Sequence, residues 1–139
     1  MDGINASQAL FEIQALIMVK KHLILLADDE EMVRNVTKAM LDHLNFDVII
    51  ANDGRQALEM FLTHQNELSL VILDISMPEM NGYECLEQIR KYSDLPALIA
   101  SGYGSAISEE EIQENGFQGV LPKPFTLDVL EETIRSLLT

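Results

Sequence analysis

The sequence of 139 residues has a single cysteine, Cys85, and only four prolines and seven glycines. A lone cysteine cannot form an internal disulfide or a cysteine-based metal cluster, and it favours a reducing, cytoplasmic location. Few prolines and glycines, together with 47% hydrophobic residues, exclude collagen-like, disordered and low-complexity chains. A chain of this length therefore forms about one ordinary domain with a hydrophobic core of its own.

Positive charge is also scarce. The chain has 9 lysines and arginines against 23 aspartates and glutamates, which gives a formal net charge of −14. Nucleic-acid backbones and anionic membrane surfaces both attract proteins that are rich in lysine and arginine. The composition therefore predicts neither direct nucleic-acid binding nor docking on an anionic membrane.

Residues 1–20 contain no long apolar run and no positive charge before Lys20. Neither a secretory signal nor a membrane span is therefore predicted there. Apolar residues do recur at helical spacing, at Leu10, Ile13, Leu16 and Ile17. We predict an N-terminal extension over residues 1–20, with an amphipathic helix capped by Ser7 that packs on the domain or on a partner. Two other interpretations of residues 1–20 are equally open. One is the remnant of a linker from a longer protein, and the other is an added segment that is not part of the natural protein.

From residue 21 onward, short apolar runs alternate with segments of helical periodicity. The runs are typical of strands covered on both faces, and they lie at residues 23–27, 48–51, 70–73, 97–100 and 119–121. The first helical segment has an apolar stripe made of Met32, Val33, Val36, Ala39, Met40 and Leu44. Five such strand–helix units predict one α/β domain over residues 21–139, a parallel sheet with helices on both faces. The pattern does not determine the strand order.

Polar side chains gather where these strands end. Asp28 and Asp29 follow the first strand, Asp74 ends the third, Ser101 follows the fourth and Lys123 follows the fifth. Ligands of open parallel sheets bind at this edge. Neighbouring carboxylates repel one another unless a cation bridges them, and hard oxygen ligands suit Mg²⁺ better than zinc. We therefore predict a magnesium site at which a carboxylate beside a lysine and a hydroxyl accepts a phosphoryl group. Taken alone, an Asp pair after a strand is more often only a helix cap.

Four segments closely resemble the signature segments of bacterial response-regulator receiver domains, and they occur in the same order. They are ILLADDEEMVR, VILDISMPEMNGYE, ALIASGYG and GVLPKPF, and the resemblance extends from Lys21 to the C-terminus. It implies a CheY-like, flavodoxin-like fold with a five-stranded parallel sheet in the order 2-1-3-4-5 and five flanking helices. The segments look most like receivers of hybrid sensor histidine kinases.

The resemblance also implies a role for each site residue. Asp74 matches the phosphoacceptor, which takes a phosphoryl group from the phosphohistidine of a histidine kinase or a histidine phosphotransfer protein. Ser101 and Lys123 match the residues that contact that group, and Pro124 matches a proline preceded by a cis peptide. Gly82 matches the glycine of the loop after the phosphoacceptor strand.

The family binds Mg²⁺ or Mn²⁺, and the resemblance implies a ligand set for this chain. Asp29 matches a direct ligand, and Asp28 matches the acid that holds the metal through water. Asp74 itself and the backbone carbonyl of Ser76 complete the set.

One position departs from the family pattern. Val120 stands where the family often has a tyrosine or phenylalanine that reports phosphorylation, so the resemblance does not imply a switch through that residue. Tyr103, just beyond Ser101, is an alternative residue for this role. Otherwise the chain is expected to signal to a downstream protein, or to an output or kinase domain absent from it. It is not expected to be an enzyme beyond self-catalysed phosphotransfer and slow loss of its own phosphoryl group.

Three alternatives remain open at this stage. An aspartyl-phosphate phosphatase or phosphotransferase would need a second aspartate two residues after Asp74, where the chain has Ser76. A flavodoxin-like FMN carrier would need a phosphate loop rich in Ser, Thr and Gly after the first strand, where residues 28–31 are all acidic. The third alternative is a degenerate receiver that acts only as a scaffold. Nothing in the sequence requires it, because every expected site residue is present.

Overall fold

The computed structural model describes residues 5–18, 21–102 and 107–138. The strands are β1 (Leu23–Ala27), β2 (Asp47–Ala51), β3 (Leu68–Asp74), β4 (Ala97–Ser101) and β5 (Gly119–Pro122). The helices are α1 (Ala6–Met18), α2 (Glu31–His43), α3 (Gly54–His64), α4 (Gly82–Ile89), α5 (Glu109–Glu114) and α6 (Leu127–Leu138). The predicted alternation of strands and helices is therefore confirmed.

The five strands form one parallel sheet in the order β2-β1-β3-β4-β5. This is the order that the receiver resemblance implies, so the expected fold class is confirmed. Strand β3 lies in the middle, between β1 and β4, and Asp74 at its end is in register with Ala100 of β4. All five strands end at the same edge, which places the polar residues that follow them on one side of the sheet.

Successive side chains of the inner strands enter two different cores, as the period of two in a strand requires. Leu25 and Leu73 belong to a cluster shared with α3, α4 and α5, whereas Leu26 and Ile72 belong to one shared with α2 and α6. All four side chains are at most 3% exposed. Helices therefore cover both faces of the sheet, which confirms the prediction drawn from the continuous apolar runs.

The apolar stripe predicted for α2 is wrong in part. Met32 is 77% exposed and Val36 51% exposed, and Ala39 is exposed as well. The side chains that α2 buries are Thr37 and Leu41. The face with Met32 and Val36 is turned away from the core, toward a groove beside the ends of the strands.

Helix α1 begins before the predicted cap. The side chain of Asn5 accepts a hydrogen bond from the backbone N–H of Gln8 at 2.7 Å, so Asn5 caps the helix and Ser7 lies within its first turn. The prediction of Ser7 as N-cap is wrong. Three described apolar side chains of α1 are more than half exposed: Leu10, Phe11 and Ile13. None of the helices in the described ranges is long and apolar enough to span a membrane.

Candidate functional site

Three carboxylates meet where β1 and β3 end. Asp28 and Asp29 directly follow β1, and Asp74 is the last residue of β3, the neighbouring strand. Each of the three offers an oxygen within 4.8 Å of the other two. Asp28 and Asp74 are 2% and 3% exposed, whereas Asp29 is open to solvent. The cluster predicted from the strand ends therefore exists, with one side accessible from outside.

Lys123 supplies the positive charge of this cluster. Its Nζ lies 2.8 Å from Oδ2 of Asp28 and 3.2 Å from Oδ1 of Asp74. Burial lowers the pKa of Lys123, but the hydrogen bond and charge of Asp28 and the charge of Asp74 outweigh it, so the pKa is raised above its usual value. The lysine therefore stays protonated, and the peptide between it and Pro124 is cis, as expected.

The carboxyl group of Asp74 has a raised pKa. Burial and the negative charge of Asp28 raise it from 3.8 to about 6, against the opposing effect of Lys123 and of a hydrogen bond from the backbone N–H of Ser76. The Asp74 carboxyl is therefore still ionised at neutral pH, but burial and the charge of Asp28 destabilise this ionised form. A further cation beside it would stabilise the carboxylate.

The residues at this edge fit a magnesium ion. All three side chains offer hard carboxylate oxygens, and the exposure of Asp29 leaves room for the water molecules that Mg²⁺ retains. Asp28 already accepts the N–H of Glu30 at 2.9 Å with Oδ1 and the Lys123 ammonium at 2.8 Å with Oδ2. Direct coordination by Asp29 and Asp74, with Asp28 acting through water, is therefore compatible with these contacts.

Ser101 lies on β4, the strand paired with the end of β3, and Ser76 lies in the loop that follows β3. Ser101 ends β4, is 4% exposed, and its backbone carbonyl accepts a hydrogen bond from the N–H of Lys123. Ser76 follows Asp74 by two residues, at an exposed position of the loop after β3. Val120 packs against the cluster formed with α3, α4 and α5. Tyr103, the alternative residue for reporting phosphorylation, lies outside the described residues.

Sequence reasoning assigned no role to Arg34, yet this residue supports the site. From α2, its Nη1 donates to the backbone carbonyl of Asp28 at 2.9 Å, and its Nε is buried without a hydrogen-bond partner among the described residues. The contact holds the turn that carries both aspartates against the helix. One signal was available, since Arg34 is the only lysine or arginine between Lys21 and Lys38.

Replacing Arg34 with glutamine is expected to lower the free energy of unfolding by about 1–3 kcal/mol. The change removes the charged donor that bonds the partly buried carbonyl of Asp28. A buried polar group left without its hydrogen-bond partner lowers the free energy of unfolding by an amount in that range. Urea unfolding followed by circular dichroism measures the difference. Arg55→Gln is the matched control, because Arg55 is exposed at the start of α3. Equal losses in the two variants would contradict the role of Arg34.

The raised pKa of Asp74 predicts how stability depends on pH in the absence of metal. The folded state titrates at about 6 and the unfolded chain at 3.8. Between these values the folded state binds more protons, so the free energy of unfolding falls as the pH rises. Compared with Asp74→Asn, the wild type is expected to lose about 2 kcal/mol between about pH 4 and about pH 7.

Urea unfolding in EDTA at several pH values measures this difference. The wild type and Asp74→Asn are compared at each pH, so that the other titrating groups cancel. Added Mg²⁺ should remove most of the wild type's loss, because binding to the folded state alone stabilises it. A difference between the two proteins that does not vary with pH would contradict the raised pKa.

Comparisons with known proteins agree with this geometry. The chain is 37% identical over 119 residues to "Probable transcriptional regulator ycf27" of Galdieria sulphuraria, which covers 86% of this chain and 46% of that protein. It is 34% identical over 115 residues to "Response regulator RR06" of Streptococcus pneumoniae, covering 83% of this chain and 52% of that protein. The chain thus spans about half the length of these curated relatives.

Solved structures show the same fold. The chemotaxis protein CheY4 of Vibrio cholerae superimposes with a TM-score of 0.77 at 27% identity, covering 86% of this chain and all of that one. A response regulator receiver domain protein from Clostridium thermocellum gives a TM-score of 0.79 at 26% identity, covering 84% and 94%. The family model of the response regulator receiver domain matches residues 24–135. The chain therefore belongs to the response regulator receiver domain family.

Proposed function

We propose that this receiver domain takes a phosphoryl group onto Asp74, in a step that requires Mg²⁺ or Mn²⁺, and thereby signals to another protein or domain. The observation that carries the proposal is the convergence of Asp28, Asp29 and Asp74 within 4.8 Å, with the Lys123 ammonium between two of them. A carboxylate held in this way can attack phosphorus while positive charge surrounds the transferred oxygens.

The side chains divide the transfer among them. A carboxylate oxygen of Asp74 forms a bond to phosphorus as the bond from phosphorus to the donor's imidazole nitrogen breaks, and that nitrogen keeps the electron pair. The Lys123 ammonium pairs with a phosphoryl oxygen, and we assign the Ser101 hydroxyl as a donor to another. The product is an acyl phosphate, and the only catalysis is this self-directed transfer and the slow hydrolysis that follows it.

Asp29, Asp74 and the Ser76 carbonyl are the residues that we assign to the metal directly, with Asp28 acting through water. A bound Mg²⁺ ion supplies positive charge that neutralises the phosphoryl oxygens. Without the ion, the phosphoryl group would enter a site in which three carboxylates surround a single lysine. The metal requirement is thus a consequence of the charge balance.

A groove of about 460 Å³ beside Lys123 offers a surface for the phosphoryl donor. Its apolar lining includes Met32 and Val36 of α2 and Phe125 after β5, and Lys123 borders both the groove and the acidic cluster. Through Lys123 this surface adjoins the site, so a protein that delivers a phosphoryl group to Asp74 would contact it. We infer that the donor is a histidine kinase or histidine phosphotransfer protein with an apolar patch around its phosphohistidine.

The remaining features of the function are predictions. A cytoplasmic location is expected from the single cysteine, and Cys85 is fully buried, with burial raising its thiol pKa to about 12. The likeness to receivers of hybrid kinases remains a prediction, as does the division into an extension over residues 1–20 and a domain over 21–139. Neither a DNA-binding activity nor a membrane anchor is proposed for this chain.

Acetyl phosphate, a small phosphoryl donor, tests the proposal without a kinase. The wild-type protein is incubated with acetyl phosphate in Mg²⁺ or in EDTA, and its intact mass is followed with time. We expect a mass increase of one phosphoryl group in Mg²⁺ only. No increase in Mg²⁺, or an equal increase in EDTA, would contradict the proposal. Tight binding of FMN without a metal would instead favour the flavodoxin-like alternative.

A further inference from the structure

The loop between β3 and α4, residues 75–81, contains Ser76, and hydrogen bonds fix both of its ends. Ile75 donates its N–H to the backbone carbonyl of Ala100 on β4 at 2.9 Å. At the other end, Asn81 caps α4 by accepting the N–H of Glu84 at 2.9 Å. Both ends are therefore tied to regular structure, and Ser76 lies near the first of them.

Near its α4 end, at Met80, the loop rests against the start of α3. A Cβ atom added to Gly54 would overlap the backbone oxygen of Met80 and lie 2.9 Å from its carbonyl carbon. In proteins, Cβ atoms essentially never come within 3.0 Å of a non-bonded heavy atom of a residue elsewhere in the chain. The obstacle is backbone and cannot rotate away, so any side chain at position 54 must displace either the loop or α3.

Helix α3 is the better anchored of the two. Asp53 caps it by accepting the N–H of Gln56 at 2.8 Å, and Phe61 is fully buried. The Sγ of Cys85 on α4 also lies 3.4 Å from the carbonyl oxygen of Gly54, its hydrogen-bond acceptor. The loop buries Met77 in the core, but it is exposed at Ser76, Pro78 and Glu79. A side chain at position 54 would therefore displace the loop.

We propose that Gly54 is a positioning residue for the metal site, because its missing side chain sets the place of the loop that carries Ser76. The inference rests on the proposed function, in which Ser76 supplies a carbonyl ligand. Residue 54 touches neither metal nor phosphoryl group and acts only through the Met80 backbone. Changes in residues that orient metal ligands weaken metal binding by about 10- to 100-fold.

The test is a titration of Gly54→Ala with Mg²⁺ alone, followed by ¹H–¹⁵N NMR, which reports both folding and the dissociation constant. We expect a folded protein that binds Mg²⁺ at least about tenfold more weakly than the wild type. In the metal-free spectra, amide shifts should differ most within residues 75–81. The matched control is Phe61→Leu, which weakens the core around the same helix and should leave the Mg²⁺ affinity unchanged.

Every other result decides against the proposal. A folded Gly54→Ala protein with wild-type affinity would make the glycine merely structural, and so would an equal loss of affinity in Phe61→Leu. A Gly54→Ala protein that does not fold would show that the loop cannot move to make room for the added side chain. If the wild type itself bound no Mg²⁺, the proposed function would fail first and the role of Gly54 with it, whereas the variant results bear on Gly54 alone.

Discussion

Replacing Asp74 with asparagine is expected to abolish phosphoryl incorporation from acetyl phosphate, a loss of at least about 1,000-fold in rate. Asparagine has nearly the same shape but no anionic oxygen that could attack phosphorus. The fold should persist, because the change also removes a buried carboxylate whose pKa is raised to about 6. Intact mass spectrometry after incubation in Mg²⁺ measures the loss.

Asp47→Asn is the control for this change. Asp47 begins β2 at the opposite edge of the sheet from the site, and it is exposed. The control protein should be phosphorylated at the wild-type rate. If Asp74→Asn were phosphorylated as fast as the control, another side chain would be the acceptor, and the assignment of Asp74 would be wrong.

Replacing Lys123 with methionine is expected to slow phosphoryl incorporation by about 100- to 1,000-fold, the usual cost of losing one donor that stabilises charge in the transition state. Two effects combine. The ammonium no longer faces the transferred oxygens, and Asp74 loses a partner at 3.2 Å that lowers its pKa. Asp74 is then protonated over a wider pH range and is a weaker nucleophile.

The rate of incorporation in saturating Mg²⁺, followed by intact mass, measures this effect. Lys38→Met is the matched control, since Lys38 pairs with Asp42 on the surface of α2 at 2.8 Å. Its rate should equal that of the wild type, because surface ion pairs of this kind contribute little. Equal rates for Lys123→Met and Lys38→Met would show that Lys123 has no part in the transfer.

The sequence predicts the site better than it predicts the helix faces. Each apolar strand stops at a polar residue, and the ends of parallel strands must meet at one edge, so Asp28, Asp74 and Lys123 could be placed together before any coordinates were known. The strand order came from the resemblance alone. Hydrophobic periodicity shows which residues can be buried but not what they face, so it predicts a buried Met32, which is exposed, and gives no sign of the buried Thr37.

Contacts that depend on the three-dimensional approach of backbones were beyond prediction. The contact of Gly54 with the Met80 carbonyl joins segments that are distant in sequence, and no residue pattern marks it. The bond from Arg34 to the carbonyl of Asp28 is of the same kind, since it involves a main-chain atom. Such contacts support the site from outside, whereas the residues of the site itself follow from where the strands end.

The identity of the phosphorylated atom is the central claim, and chemical trapping tests it most directly. Borohydride reduces an aspartyl phosphate to homoserine, which tandem mass spectrometry locates in a proteolytic digest. After incubation with acetyl phosphate and Mg²⁺, homoserine is expected at position 74, and it should be absent when EDTA replaces Mg²⁺. Homoserine at position 28 or 29 instead, or a phosphate that borohydride leaves intact on a serine, would contradict the account.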